Sequence, residues 1–84
     1  MKHHLNIHIT GKVQGVTFRA SAQRLAEGLG VTGFAYNQPD GSVLIEAEGY
    51  PDALQEFKMW CEDGPRRAKV TSIHMETGGL QHFT

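Results

Sequence analysis

The chain is short of several things that would have narrowed its reading. It has one cysteine, Cys61, in 84 residues. No intramolecular disulfide and no cysteine-based zinc site can be built from one thiol. A chain without such staples suits a reducing compartment, and a cytoplasmic location is expected. Charge of either sign is not in excess: the formal net charge is −1 and the pI about 6.5. A protein held to nucleic acid by phosphate charge would normally be basic, so no nucleic-acid partner is expected. The N-terminal stretch "MKHHLNIHIT" has no long apolar run and reads as neither a secretion signal nor a membrane span. No linker, repeat or low-complexity segment interrupts the chain, so residues 1–84 are expected to form one domain.

What is present is periodic. Leu5, Ile7 and Ile9 alternate with Asn6, His8 and Thr10, the pattern of a half-buried strand. From Phe18 the spacing changes: Phe18, Ala22, Leu25, Ala26 and Leu29 make one helical stripe. Thr17 is the expected N-cap, and Gly28 or Gly30 the stop. "VTGFAYN" predicts a second strand, "QPDG" a turn, and "SVLIEAEG" a third strand with Val43, Ile45 and Ala47 on one face. A second helix opens at Pro51, carries Ala53, Leu54, Phe57, Trp60 and Cys61 on its stripe, and ends at Gly64-Pro65. "AKVTSIHME" predicts a fourth strand. Val70 and Ile73 break its alternation, which suggests a bulge or twist. "GGLQHFT" is expected to add a short closing strand.

The order β-α-β-β-α-β, with one apolar face per element, predicts an α+β fold: a ferredoxin-like sandwich with an antiparallel sheet and both helices on one face. His4, Asn6, His8, Leu44, Glu46 and Glu48 are expected on the open, water-facing side of the sheet, which would carry no aromatics. That composition argues against base stacking of the kind used by RNA-binding domains with the same element order. His4 and His8 share this face, but no third ligand is implied and no metal is expected. Glu46, Glu48, Glu56, Glu62 and Asp63 read as a solvated acidic surface.

Two places can carry chemistry. In "GKVQGVTFRA" a loop with glycines feeds a helix whose first turn holds Arg19. Free N–H groups at a helix start, the positive end of its dipole and a guanidinium fork suit a bound anion. Spacing alone leaves a surface loop with a stray arginine equally open. Right-handed crossovers make the first two strands run the same way. Arg19 and Asn37, which ends the second strand, are thereby brought toward one edge. Asn37 could hold a water, or could simply start the Pro-Asp-Gly turn.

The stretch "GKVQGVTFR" resembles the G-x-V-Q-G-V-x-F-R signature of acylphosphatases, and "NQPDGSVLIEAEG" is similar to the second signature of that family. The Arg19–Asn37 separation, the "GP" after the second helix and Ala68-x-Val70 also fit, so the resemblance runs from about Leu5 to Phe83. It implies metal- and cofactor-free hydrolysis of a small acyl phosphate to carboxylate and inorganic phosphate, by a monomer. It implies phosphate binding by backbone N–H groups of Gly15, Val16, Thr17, Phe18 and Arg19, with Arg19 also a catalytic clamp and Asn37 orienting the attacking water. The family commonly has a tryptophan and an arginine shortly before this asparagine. Phe34 and Tyr36 stand there in this chain, and the closing strand is expected to be short.

Overall fold

The alternation of Leu5, Ile7 and Ile9 becomes one of the two central strands of a four-stranded sheet. The computed structural model describes residues 1–15 and 17–78. Its elements are β1 (His3–Lys12), α1 (Phe18–Leu29), β2 (Thr32–Asn37), β3 (Val43–Gly49), α2 (Pro51–Asp63) and β4 (Lys69–Gly78). The strands are ordered β2-β3-β1-β4, and every neighbouring pair is antiparallel. The expected βαββαβ order is therefore present. The short strand expected beyond Gly78, and Val16 in the loop before α1, lie outside the described residues.

Ile7, Ile9, Val43, Ile45 and Ala47 turn one sheet face inward, where Phe18 and Ala22 of α1 and Leu54, Phe57 and Cys61 of α2 cover it. Burying each of the Ile, Val, Leu and Phe side chains among these is worth about 1.5–3 kcal/mol relative to water. Phe18 is fully enclosed, its ring 5.2 Å from that of Trp60, so the start of α1 is pinned to α2.

Register places the two ends that matter. β1 and β2 are both antiparallel to β3, so they run the same way, and Ile9, Val43 and Asn37 lie in one row across the sheet. β2 thus ends level with Ile9, while β1 runs on to Lys12 at the same end of the sheet. Along the other edge, Thr10 pairs with Ser72 and Gly11 with Val70, leaving Thr71 as the bulge that the Val70–Ile73 spacing suggests. Gly11 belongs to β1 rather than to the loop after it. A Cβ there would sit 2.1 Å from the carbonyl oxygen of Lys69, so only glycine fits against the bulge.

The open face differs from expectation in two ways. His4 and Glu48 were expected in water but are buried, at 1% and 3% exposure. They are direct cross-strand partners, and His4 Nδ1 lies 3.0 Å from a Glu48 carboxylate oxygen, with Asn6 Oδ1 3.0 Å from Nε2. The acidic surface therefore loses Glu48. The face also carries aromatics after all. Phe34 and Tyr36 pair with Glu46 and Leu44, so they point to this side, where they stack with centroids 5.6 Å apart at 47% and 37% exposure. Among the described residues no helix is long and apolar enough to cross a membrane.

Candidate active site

The loop between β1 and α1 departs from Val13, which is buried, and turns twice through left-handed backbone: Gly15 at φ 72° and Thr17 at φ 61°, ψ 21°. Glycine takes that conformation freely, and a Cβ at Gly15 would meet nothing within 4 Å. Thr17 is the one non-glycine residue with positive φ among the described residues, and for such a residue the conformation costs about 1–2 kcal/mol. This corrects the expected cap. Thr17 does occupy the N-cap position, yet its side chain makes no capping hydrogen bond. An N-cap needs extended backbone to aim its oxygen at the first helical N–H groups, and a left-handed residue aims it elsewhere.

The missing cap matters for chemistry. Ser21 N–H is the first in α1 to reach a helical carbonyl, that of Thr17, at 2.9 Å. The N–H groups of Phe18, Arg19 and Ala20 precede it and have no carbonyl within the helix to reach. No acidic side chain stands in this first turn to use them. The residues that carry them line a cleft of about 170 Å³, together with Val13, Gly15, Thr17 and Asn37. Gly15, Thr17, Phe18, Arg19 and Asn37, all expected from the sequence, are thus gathered at one place. Both Arg19 and Asn37 are exposed, and no acid pairs with Arg19 among the described residues.

Gln14 holds the two halves of the cleft together, a role that reading the sequence did not assign. Its amide donates to the carbonyl of Gln38 at 2.8 Å and to that of Ser42 at 2.9 Å. The loop before α1 is thereby tied to the turn that follows Asn37. The available signal was an amide with two donors in a loop otherwise built of apolar and small residues.

Asp40 is the carboxylate nearest in sequence to Asn37, but it is occupied. It accepts from Ser42 Oγ at 2.5 Å and from the Ser42 N–H at 2.9 Å. The bond from the Ser42 hydroxyl, then that from its amide, holds the Asp40 carboxyl below its ordinary value of 3.8. It locks the turn. His8 Nε2 also meets Ser42 Oγ, at 2.8 Å, so this histidine belongs to the same turn network. Among the described residues no three His, Cys, Asp or Glu side chains form a group that could hold a metal ion.

Comparison with known proteins gives the family and agrees with the fold. A family model described as acylphosphatase matches residues 5–84. The chain belongs to the acylphosphatase family. An acylphosphatase from a Nocardioides species is 44% identical over 86 aligned positions, covering 99% of this chain and 87% of that one. The acylphosphatase of Coxiella burnetii has a TM-score of 0.94 at 31% identity, with 99% of this chain and 87% of that chain covered. The Bacillus subtilis acylphosphatase has a TM-score of 0.93 at 36% identity, with 99% and 92% covered. Hydrolysis of acyl phosphates is the family's function, and the β-α-β-β-α-β sandwich seen here is its fold.

Proposed function

We propose that this protein is an acylphosphatase in which the cleft at the start of α1 holds the phosphoryl group, Arg19 clamps it and Asn37 orients the water. The observation that carries this reading is the shared cleft: the first residues of α1, Arg19 among them, and Asn37 line one space. The N–H groups and the guanidinium fork meet charge on the phosphoryl oxygens. The backbone N–H groups are fixed by the helix before the reaction, so they stabilise the transition state without reorganising. Asn37 accepts a hydrogen bond from the water through its oxygen and donates through its NH₂ to a phosphoryl oxygen.

The step balances without a protein base. The water oxygen bonds to phosphorus, the bond from phosphorus to the acyl oxygen breaks, and the carboxylate leaves with the electron pair. The water's proton passes to a phosphoryl oxygen, giving dihydrogen phosphate. Asp40, whose Oδ1 accepts both Ser42 bonds, is read as a turn lock and given no part in the step. A carboxylate leaves readily, so no strong acid is required, and what remains is positioning and charge stabilisation. The reading calls for no cofactor and for a monomeric cytoplasmic protein. Phosphate binding at Val16 belongs to the same proposal.

The test is hydrolysis of benzoyl phosphate by the purified protein with a chelator present. Wild type turns over, inorganic phosphate competes, and Arg19→Ala loses on the order of a thousandfold, as for removal of a charge-stabilising donor. Arg19→Lys does not restore it, since lysine lacks the fork. A wild-type protein that binds phosphate without turnover would make it a binding module instead.

A further inference from the structure

Beside the phosphate cleft lies a second groove, of about 520 Å³, lined by Gly15, Thr17, Pro65, Arg66 and Arg67. The two spaces share Gly15 and Thr17 as a common wall. Asn37 lines only the first, and the two arginines only the second. Resting on the reading of the first cleft as the phosphoryl site, we propose that this groove receives the acyl group, and that Arg66 and Arg67 select acyl phosphates whose acyl chain carries a second anionic group.

The sheet order sets the direction. Asn37 ends β2 on one edge of the sheet, and Arg66 and Arg67 stand just before β4 on the other edge. The loop from β1 lies between them. In a phosphoryl transfer the attacking and leaving oxygens are roughly in line. With the water held by Asn37, the acyl oxygen departs away from the β2 edge, which is toward the groove of Arg66 and Arg67.

The backbone that carries the arginines is held in place there. Pro65 to Ala68 form a turn closed by the Ala68 N–H on the Pro65 carbonyl at 2.9 Å, with Arg66 and Arg67 at its two central positions. Gly64, just before the turn, lies against Phe18. A Cβ on Gly64 would come within 2.5 Å of the Phe18 ring. The arginine turn and the start of α1 therefore pack on one buried aromatic. Both arginines are exposed, and among the described residues neither has an acid within ion-pair distance, although Glu62 and Asp63 are near in sequence. A net charge of −1 makes this local cluster of free guanidinium groups a departure from the chain as a whole. Guanidinium forks without a protein partner suit a carboxylate or phosphate on the ligand.

The experiment compares kcat/KM for succinyl phosphate and butanoyl phosphate, which have the same number of carbons and differ in one terminal carboxylate. Benzoyl phosphate turnover by wild type tests the phosphoryl-site reading separately. The expected result is that the succinyl-to-butanoyl ratio falls roughly tenfold in Arg66→Gln/Arg67→Gln, the effect of one charge-assisted contact. In wild type the same ratio shrinks at high salt. An unchanged ratio in the double variant overturns the proposal. So does an equal loss on both substrates, which would assign the arginines to the leaving carboxylate or to the fold.

Discussion

Removing the Gln14 amide should loosen the site without touching the groups that meet the phosphate. Gln14→Ala deletes two hydrogen bonds, to the carbonyls of Gln38 and Ser42. Such bonds contribute about 0.5–1.5 kcal/mol each. Here the lower half of that range applies, because neither carbonyl is orphaned. Gln38 O still accepts from the Gly41 N–H at 3.0 Å, and Ser42 O from the Gln38 N–H at 2.9 Å. The total loss is then about 1–2 kcal/mol, or a fall in Tm of roughly 5–15 °C for a domain of this size. Gln14→Glu should cost more than alanine at neutral pH, since it points a carboxylate at two carbonyl oxygens. Activity should suffer through geometry. Gln38 follows Asn37, and a displacement of about 1 Å at a positioning residue is worth up to roughly a hundredfold in rate. Calorimetry and benzoyl phosphate kinetics together test this: Tm and kcat fall while the affinity for inorganic phosphate barely changes. If Gln14→Ala melts within ~2 °C of wild type and keeps its kcat, the tie between loop and turn has no energetic weight.

Other expectations follow from the same contacts. Phe18→Ala removes the ring on which both the α1 start and Gly64 rest, and should cost about 3–5 kcal/mol in urea unfolding. Asp40→Asn should keep the wild-type order of magnitude in kcat, because Asp40 is a turn lock; loss of a limb of the pH–rate profile would make it a base. The folded pKa of Asp40 is depressed, so its contribution to stability is present at neutral pH and is lost as pH falls below 3.8 toward the folded value. The Tm gap between wild type and Asp40→Asn should narrow over that range. Burial, then the neighbouring Glu62 charge, pushes the Cys61 thiol up to about 12. A thiol reagent at mildly alkaline pH should leave the folded protein unmodified and label it only on unfolding.

The elements were legible because each buries one face, and periods of two and 3.6 residues record that directly. Even the Thr71 bulge showed as a break in alternation between Val70 and Ile73. The meeting of Arg19 and Asn37 was legible too, since a β-α-β crossover makes β1 and β2 run the same way and puts both residues at one end of the sheet. Conformation at single residues was not. Thr17 has the composition of a cap, but the left-handed turn that cancels capping is imposed by the loop it closes. His4 and Glu48 are 44 residues apart, and only the register makes them partners. Alternation assigned both to the open face correctly, but it carries no information on what covers a side chain there. Phe34 and Tyr36 fall on that face for the same reason: the phase of β2 is set by its pairing with β3. Gln14 hydrogen-bonds across 24 and 28 residues, and spacing along the chain does not encode such contacts.

The central claim is a division of labour in one cleft: helix-start N–H groups and Arg19 hold the phosphoryl group, and Asn37 holds the water. Asn37→Ala measured in two assays tests it most directly. Benzoyl phosphate turnover should be abolished, while inorganic phosphate should still raise the melting temperature as it does for wild type. Full turnover in Asn37→Ala, or loss of phosphate protection along with activity, would contradict it.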